Sequence, residues 1–231
     1  MNPQLVELQT IINLQFKKPK VLEQALIHRS FLNENKNLKL QSNERYEFLG
    51  DAILEFWATK NLFKKFPKFT EGDLTNLRSL VVCTQNLAKI ANSIQLGKFV
   101  MLSHGEESHG GRDNLSILAD TFESLIGAIF LDQGIRPVGK FLDQFLIPSI
   151  DEISKAKVYK DAKSQFQEIA QSQRGITPHY VTTKEVGPDH QKTFEVAAYI
   201  GDNLIAQGSG NSKQRAEESA AIAATKVLSN S

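Results

Sequence analysis

Residues 43–56 read NERYEFLGDAILEF, which sets Glu44, Glu47 and Asp51 among large apolar side chains. At the helical increment of 100° per residue these three carboxylates fall within about 60° of one another, while Leu49, Ile53, Phe56 and Trp57 gather on the opposite side. The segment therefore predicts an amphipathic helix with its apolar back toward a core. Its acidic face is either solvated or functional. Glu55 continues that face and is read as a solvated neighbour.

The rest of the first two thirds has the same helical period. Helices are expected over roughly 3–15, 20–29, 41–65, 70–94, 114–132 and 135–150, joined by polar or Pro/Gly-containing links such as KFPKFTEGD and HGEESHGGRDN. After Pro148 the composition turns polar, and SIDEISKAKVYK reads as a linker. Beyond it Ala162, Phe166, Ile169 and Ala170 form a helical stripe, followed by three extended runs, HYVTTKEV, KTFEVAAYI and NLIAQGSG. In the middle run Phe194, Val196, Ala198 and Ile200 alternate with Thr193, Glu195, Ala197 and Tyr199, the pattern of a half-buried strand. A last helix from Ser212 to about Leu228 is expected to bury Ala216, Ala220, Ala223 and Val227. The expected organisation is an all-α domain over 1–150, a linker over 151–160 and a small α+β domain of order α-β-β-β-α over 161–231, its two helices covering one face of the sheet.

Composition bounds what such a chain can be. At 231 residues, 41% hydrophobic and 23% charged, it can bury a substantial core. MNPQLVELQT has no positively charged stretch leading into an apolar one, and LIGAIFL at 125–131 is too short to cross a bilayer, so a soluble cytoplasmic protein with no membrane partner is expected. The single cysteine, Cys83, excludes an internal disulfide and reads as a small buried apolar residue. Net charge is only +1, with 17 Lys+Arg against 18 Asp+Glu in residues 1–154 and 10 against 8 in residues 155–231, so any polyanion site must be a local patch.

A second acidic pair raises the interest of the first. In SILADTFESLIGAIF, Asp120 and Glu123 stand three apart on one face of an otherwise apolar helix, with the small residues Ser124 and Gly127 beside them. Carboxylates in such surroundings are costly unless paired or bound to a cation. Two such helices can build an oxygen-rich cation site. All-oxygen ligation suits Mg²⁺ or Mn²⁺, and the absence of a Glu-x-x-His motif disfavours a di-iron centre. Salt-bridged clusters are the alternative, weakened by the few basic residues in these two helices.

With those residues in view, the chain resembles bacterial ribonuclease III. The resemblance rests on NERYEFLGDAILEF, EGDLTNLR at 71–78, GGRDNLSILADTFESLIGAIFLD at 110–132 and ALIHRS at 25–30, and it extends to a C-terminal part similar to that family's double-stranded-RNA-binding domain. It implies the family's helical endonuclease fold and a metal-dependent, double-strand-specific endoribonuclease that leaves 5′-phosphates, 3′-hydroxyls and short 3′ overhangs, with ribosomal RNA precursors and structured messenger RNAs as substrates. By that resemblance Glu47, Asp120 and Glu123 would ligate Mg²⁺, for which Mn²⁺ can substitute, and Asp51 would hold and orient the attacking water, so that Asp51 and Glu123 are the catalytic candidates. Glu44 and Glu71 match further acids of the family's cleft, as auxiliary groups. Tyr46 stands where the family usually has Leu. No small-molecule cofactor is implied.

Cutting both strands calls for two clusters, which a two-fold homodimer supplies. Phe48 projects about 140° from Ile53 on its helix, where a lone domain would expose it, and the family's matching residue enters the other subunit. It is assigned to the dimer interface, with packing under a neighbouring helix as the alternative. Duplex RNA is recognised through ribose hydroxyls and phosphates. Gln167 and Gln171 on the first helix of the small domain, His190 in the GPDHQ turn, and Lys213 and Arg215 at the start of the last helix are the RNA-binding candidates. The two cations oppose the helix dipole unless an anion binds there. Gln214 replaces a basic residue common in the family. His28, His104 and His109 are read as structural or exposed. A binding protein that has lost catalysis and a hydrolase of small phosphate esters are the rival classes; the retained acids oppose the first and the RNA-binding domain the second.

Overall fold

The computed structural model describes residues 3–155, 162–188 and 192–229. They form two compact units, one on either side of residues 156–161. The first unit is helical: α1 (Pro3–Ile11), α2 (Pro19–Ala25), α3 (Arg29–Glu34), α4 (Glu44–Lys65), α5 (Glu71–Val81), α6 (Thr84–Ser93), α7 (His104–Ser108), α8 (Leu115–Gln133), α9 (Ile135–Phe145) and α10 (Ile147–Lys155). None of the described helices is long and apolar enough to cross a membrane.

The helix starts are written in local chemistry. Asn114 Oδ1 accepts the amides of Ser116 (2.9 Å) and Ile117 (3.3 Å) at the head of α8. Thr70 and Asp73 close a reciprocal capping box on α5, and Ser103 Oγ caps α7 through the Glu106 amide (3.1 Å). From its cap onward α8 is apolar on almost every side, and Ile117, Leu118, Phe122, Leu125, Ile126 and Ile129 are all buried. It is the central helix, and α4 lies against it.

That pairing is set by two glycines. A Cβ on Gly50 would stand 1.8 Å from the Glu123 carbonyl oxygen, and one on Gly127 would stand 2.1 Å from the Tyr46 carbonyl oxygen. Only bare backbones approach so closely. Next to Glu123, Ser124 Oγ donates to the Ala25 carbonyl at 3.0 Å and ties in α2.

Several expectations change here. The buried face of α4 is Gly50, Ile53, Leu54, Ala58 and Leu62, whereas Phe56 is 59% exposed. The face is centred by the glycine contact rather than by the largest side chains. The helix expected over 70–94 breaks into α5 and α6 at Val82 and Cys83, where Cys83 is extended and Asn86 Nδ2 donates to the freed Val81 carbonyl at 2.6 Å. Cys83 is accordingly half-buried at a helix start, with Sγ on the Leu80 carbonyl at 3.2 Å. Residues 26–28 leave the helix expected over 20–29 because their backbone pairs elsewhere: Met101 N donates to Leu26 O (2.8 Å), His28 N to Met101 O (3.1 Å) and Asn43 N to Ile27 O (2.9 Å). Residues 151–155, expected as linker, finish α10. Pro148, lacking an N–H, is accommodated in the first turn of that helix. Ion pairs from Lys65 to Asp151 and from Lys89 to Glu152 hold its polar side.

The second unit runs α11 (Ala162–Arg174), β1 (His179–Val186), β2 (Thr193–Ile200), β3 (Asn203–Gly210) and α12 (Lys213–Ser229), with an antiparallel sheet of order β1-β2-β3. Thr182, Val196 and Gly208 are register partners across it. Phe166 and Ala170 of α11, Val196, Ala198 and Ile200 of β2, and Ala216, Ala220, Ala224 and Leu228 of α12 make its core. The stripe of α12 thus runs through Ala224 and Leu228, not Ala223 and Val227, and Val227 is exposed. In this alanine-rich helix Leu228 is the large apolar residue that is buried, while Ile222 and Val227 are left exposed. A Cβ on Gly208 would meet the Ala220 amide nitrogen at 2.1 Å, so this strand position also depends on a missing side chain.

These contacts predict a sharp contrast between glycines. Gly50→Ala and Gly127→Ala should each destabilise the protein by about 3 kcal/mol or more, because backbone stands in the way. Gly72→Ala, whose Cβ would make only an ordinary contact with the Thr70 hydroxyl at 3.8 Å, should be neutral or stabilising by up to about 1 kcal/mol. Denaturant unfolding of the three variants checks this.

Candidate active site

The α4–α8 contact carries the acids. Glu47 and Asp51 lie either side of Gly50 on α4, and Asp120 and Glu123 lie on the facing turns of α8. Because the core face of α4 is centred on Gly50 and Leu54, the acids border the buried side instead of opposing it. Glu47, Asp120 and Glu123 are all partly buried. Burial raises the Glu47 carboxyl, and the charges of Asp120, Glu44 and Asp51 add to it. Burial likewise raises Asp120, against the opposing pull of His28 and Arg29. Glu123 is moved furthest, to about 8, by burial first and then by Asp51, Asp120, Glu47 and Glu55. The four carboxylates therefore feel one another and lack enough neighbouring positive charge.

A cleft of about 550 Å³ opens from this cluster, lined by Glu44, Glu47 and Asp120 together with His28, Arg29 and Glu106. Glu44 sits at its edge, accepting from Ser42 Oγ at 2.7 Å and standing 3.9 Å from Arg29. Glu106 is an acid that the sequence reading passed over. Its signal is the Ser-x-x-Glu pattern of Ser103 to Glu106, lost in a glycine-rich loop, which makes a one-and-a-half-turn helix and turns the side chain inward. Arg112 secures the base of that loop by donating to the carbonyls of Gly97 (2.9 Å), Lys98 (3.2 Å) and Val100 (3.0 Å). His28 begins α3, with Nδ1 2.8 Å from Ser30 Oγ, and burial lowers its pKa. His104 and His109 are exposed and do not line the cleft.

Glu71 is not brought to this cleft. It lies at the start of α5, accepts from Thr75 Oγ1 at 3.0 Å and lines a separate apolar cavity of about 440 Å³ with Leu62, Phe63, Phe69 and Leu74. Glu55, read as merely solvated, pairs with Arg78 at 3.1 Å beside that cavity. On the same side of α4, Phe48 is 81% and Phe63 73% exposed.

The donor set fits a hard divalent cation. It is made of carboxylate oxygens, and such a charge would offset the burial that raises Glu47, Asp120 and Glu123 and the repulsion that adds to it at Glu47 and Glu123. Among the described residues no three acidic, histidine or cysteine side chains converge into a ready-made ligand group, so ligation requires side-chain rotation.

In the second unit Gln167 and Gln171 are exposed on α11, away from Phe166 and Ala170, and Gln171 Nε2 reaches Thr177 Oγ1 at 3.3 Å. Lys213 pairs with Glu185 at 2.9 Å, which lowers the Glu185 carboxyl and offsets the dipole penalty at the head of α12. Arg215 is exposed there, its amide capped by Ser212 Oγ at 3.2 Å. Gln214 donates to Glu218 at 3.3 Å. His190 lies outside the described residues.

Comparison with known proteins agrees with the two units. Residues 18–150 match the family model described as Ribonuclease-III-like, and residues 162–228 match the double-stranded RNA binding motif. Fold and cleft together define a two-domain RNA nuclease. Ribonuclease 3 of Listeria innocua is 40% identical over 224 residues, covering 97% of each chain, and Ribonuclease 3 of Geobacillus kaustophilus is 43% identical over 222, covering 96% of this chain and 90% of its own. The crystal structure of the nuclease domain of ribonuclease III from Campylobacter jejuni, at 39% identity, aligns with a TM-score of 0.58 over 64% of this chain and 97% of that one. The chain belongs to the ribonuclease III family, whose members are in general metal-dependent endoribonucleases acting on double-stranded RNA.

The raised carboxyls have a measurable consequence. The folded state holds the Glu123 proton more tightly than the unfolded chain, where the value is the ordinary 4.5. Its contribution to stability is complete below that value and is lost as pH rises through about 8. Without divalent cations, Glu123→Gln should flatten the decline and raise the Tm at pH of about 9 by roughly 3 °C. Thermal unfolding in chelator across that range tests it.

Proposed function

We propose that the chain cuts both strands of double-stranded RNA as a homodimer, using Mg²⁺ or in its place Mn²⁺, and leaves 5′-phosphate and 3′-hydroxyl ends with short 3′ overhangs. The observation that carries this reading is the meeting of Glu47, Asp51, Asp120 and Glu123 at the glycine contact of α4 and α8, with Glu123 pushed up to about 8 by burial and like charge. When bound, the cation supplies positive charge to the phosphoryl oxygens and acidity to the attacking water. Glu47, Asp120 and Glu123 hold it. Asp51, the most exposed of the four, accepts a hydrogen bond from that water and keeps it in line with the leaving 3′-oxygen. Glu44 is an auxiliary acid at the rim, paired loosely with Arg29.

Phe48 is the interface residue of this reading. Its exposure beside Phe56 and Phe63, and the apolar cavity lined by Leu62, Phe69 and Leu74, give a second copy both an inserting side chain and a place to receive one. A solved structure of the Campylobacter jejuni nuclease domain, 40% identical with a TM-score of 0.57, shows structural flexibility in that protein's region involved in dimer formation. Glu71 lines the same cavity, so it reaches a carboxylate cluster only from across such an interface. In the small domain Gln167, Gln171, His190, Lys213 and Arg215 contact ribose hydroxyls and phosphates. Family membership supports a cytoplasmic enzyme that processes ribosomal RNA precursors and structured messenger RNAs, with α10 through Lys155 in the catalytic domain and residues 162–228 as the RNA-binding domain.

Purified full-length chain incubated with a perfect RNA duplex and Mg²⁺ should release products with 5′-phosphates and 3′ overhangs. Glu123→Gln should lower the cleavage rate by about a thousandfold while duplex affinity changes less than about twofold. Binding without cleavage by the unsubstituted chain would sink the proposal. Phe48→Ala should shift sedimentation from dimer to monomer, and an unchanged dimer would remove Phe48 from the interface.

A further inference from the structure

The acidic cleft poses an electrostatic problem for a polyanion. Among the described side chains that line it, Glu44, Glu47, Glu106 and Asp120 are carboxylates, and Arg29 is the one arginine or lysine. Cations held by the carboxylates neutralise the phosphate being cut. The next phosphate along the strand needs a partner of its own.

Arg29 is the arginine that lines this cleft, and it is only loosely held. Its side chain is 75% exposed, and its ion pair with Glu44 is long, at 3.9 Å. Two other arginines of the same unit are engaged elsewhere: Arg112 on three carbonyls and Glu107, and Arg78 on Glu55 and Thr59. Arg29 is nevertheless well placed. His28, immediately before it, begins α3 and is anchored on Ser30, while Asn43, at the head of α4, is hydrogen-bonded to the Ile27 carbonyl. The backbone on which Arg29 stands is therefore tied to the helix that carries Glu44 and Glu47. Asn33, one turn along α3, faces the same cleft and adds an amide donor. A guanidinium offers five N–H donors in a planar fork that matches phosphate oxygens.

We propose that Arg29 is a substrate-binding residue of the cleft, whose guanidinium grips a phosphodiester adjacent to the scissile one and so admits an RNA strand to a site lined by carboxylates. This rests on the duplex-cleaving reading above and adds a phosphate contact made by the helical domain itself. The pair with Glu44 then serves to hold the guanidinium in place until RNA replaces the carboxylate.

The test uses the full-length chain carrying Glu123→Gln, with Mg²⁺ and a labelled perfect RNA duplex, and reads the dissociation constant across a series of KCl concentrations. Adding Arg29→Ala should weaken binding about tenfold at low salt and reduce the slope of log Kd against log[KCl] by about 1, the signature of one lost phosphate contact. Arg29→Lys should restore the slope and only part of the affinity, since it keeps the charge and loses the fork. An unchanged slope in Arg29→Ala, with normal binding by the parent, overturns the assignment alone. A weakening that Glu44→Gln reproduces and that accompanies a lower Tm marks the pair as structural and overturns it too. Failure of the parent to bind duplex RNA defeats the wider reading and this assignment with it.

Discussion

Two peptide carbonyls packed against two glycines hold the candidate site together. Gly50 of α4 lies on the Glu123 carbonyl and Gly127 of α8 lies on the Tyr46 carbonyl, so the helices meet backbone to backbone. The carboxylates near those glycines, Glu47 and Asp51 on one helix and Asp120 and Glu123 on the other, are carried into proximity by a backbone contact in which no carboxylate takes part. Any Cβ at either glycine would push the helices apart. Stability and function are therefore coupled at this crossing, and neighbours such as Tyr46, whose hydroxyl donates to Gln24 at 3.1 Å, adapt around it.

Closeness has an electrostatic cost that the protein does not offset internally. Arg29 stands 3.9 Å from Glu44 at the rim; burial raises Glu47, Asp120 and Glu123, and repulsion from neighbouring carboxylates adds to it for Glu47 and Glu123. A structural salt-bridge cluster would have the opposite sign, with carboxyls held below their ordinary range, as Lys65 does for Asp151 and Arg112 for Glu107. The contrast separates acids that serve the fold from acids left short of counter-charge. The latter are the ones a divalent cation relieves.

The small domain follows a different economy. Its core is built largely of alanines under a three-stranded sheet, with Phe166 and Leu228 as the bulky anchors and Gly208 letting α12 approach β3. Glutamines and cations are left on the outside. Lys213 is partly neutralised by Glu185, whereas Arg215 keeps its charge at the head of α12. Shape recognition of a duplex asks for such spaced surface groups rather than an enclosed pocket.

The order of elements, the separation into a helical and an α-β-β-β-α unit, and the acidic residues of NERYEFLGDAILEF and SILADTFE were legible in the residues alone, because periodicity, capping and turn chemistry are local. Element ends were less so. Val82 and Cys83 interrupt a helix where Asn86 takes the freed Val81 carbonyl, whereas residues 26–28 pair with Met101 and residues 151–155 stay helical through partners far away in the chain. The rotation of α4 about its axis also escaped: hydrophobic weight placed Phe56 inward, whereas the close approach at Gly50 turns it out and draws Glu47 toward the buried side. Glu106 joined the cleft and Glu71 left it for the same kind of reason. The sequence by itself determined which side chains exist to do chemistry and which elements carry them. Only the tertiary structure decided which of them face one another and how strongly their charges couple, because both depend on the distance between backbones that meet across the fold.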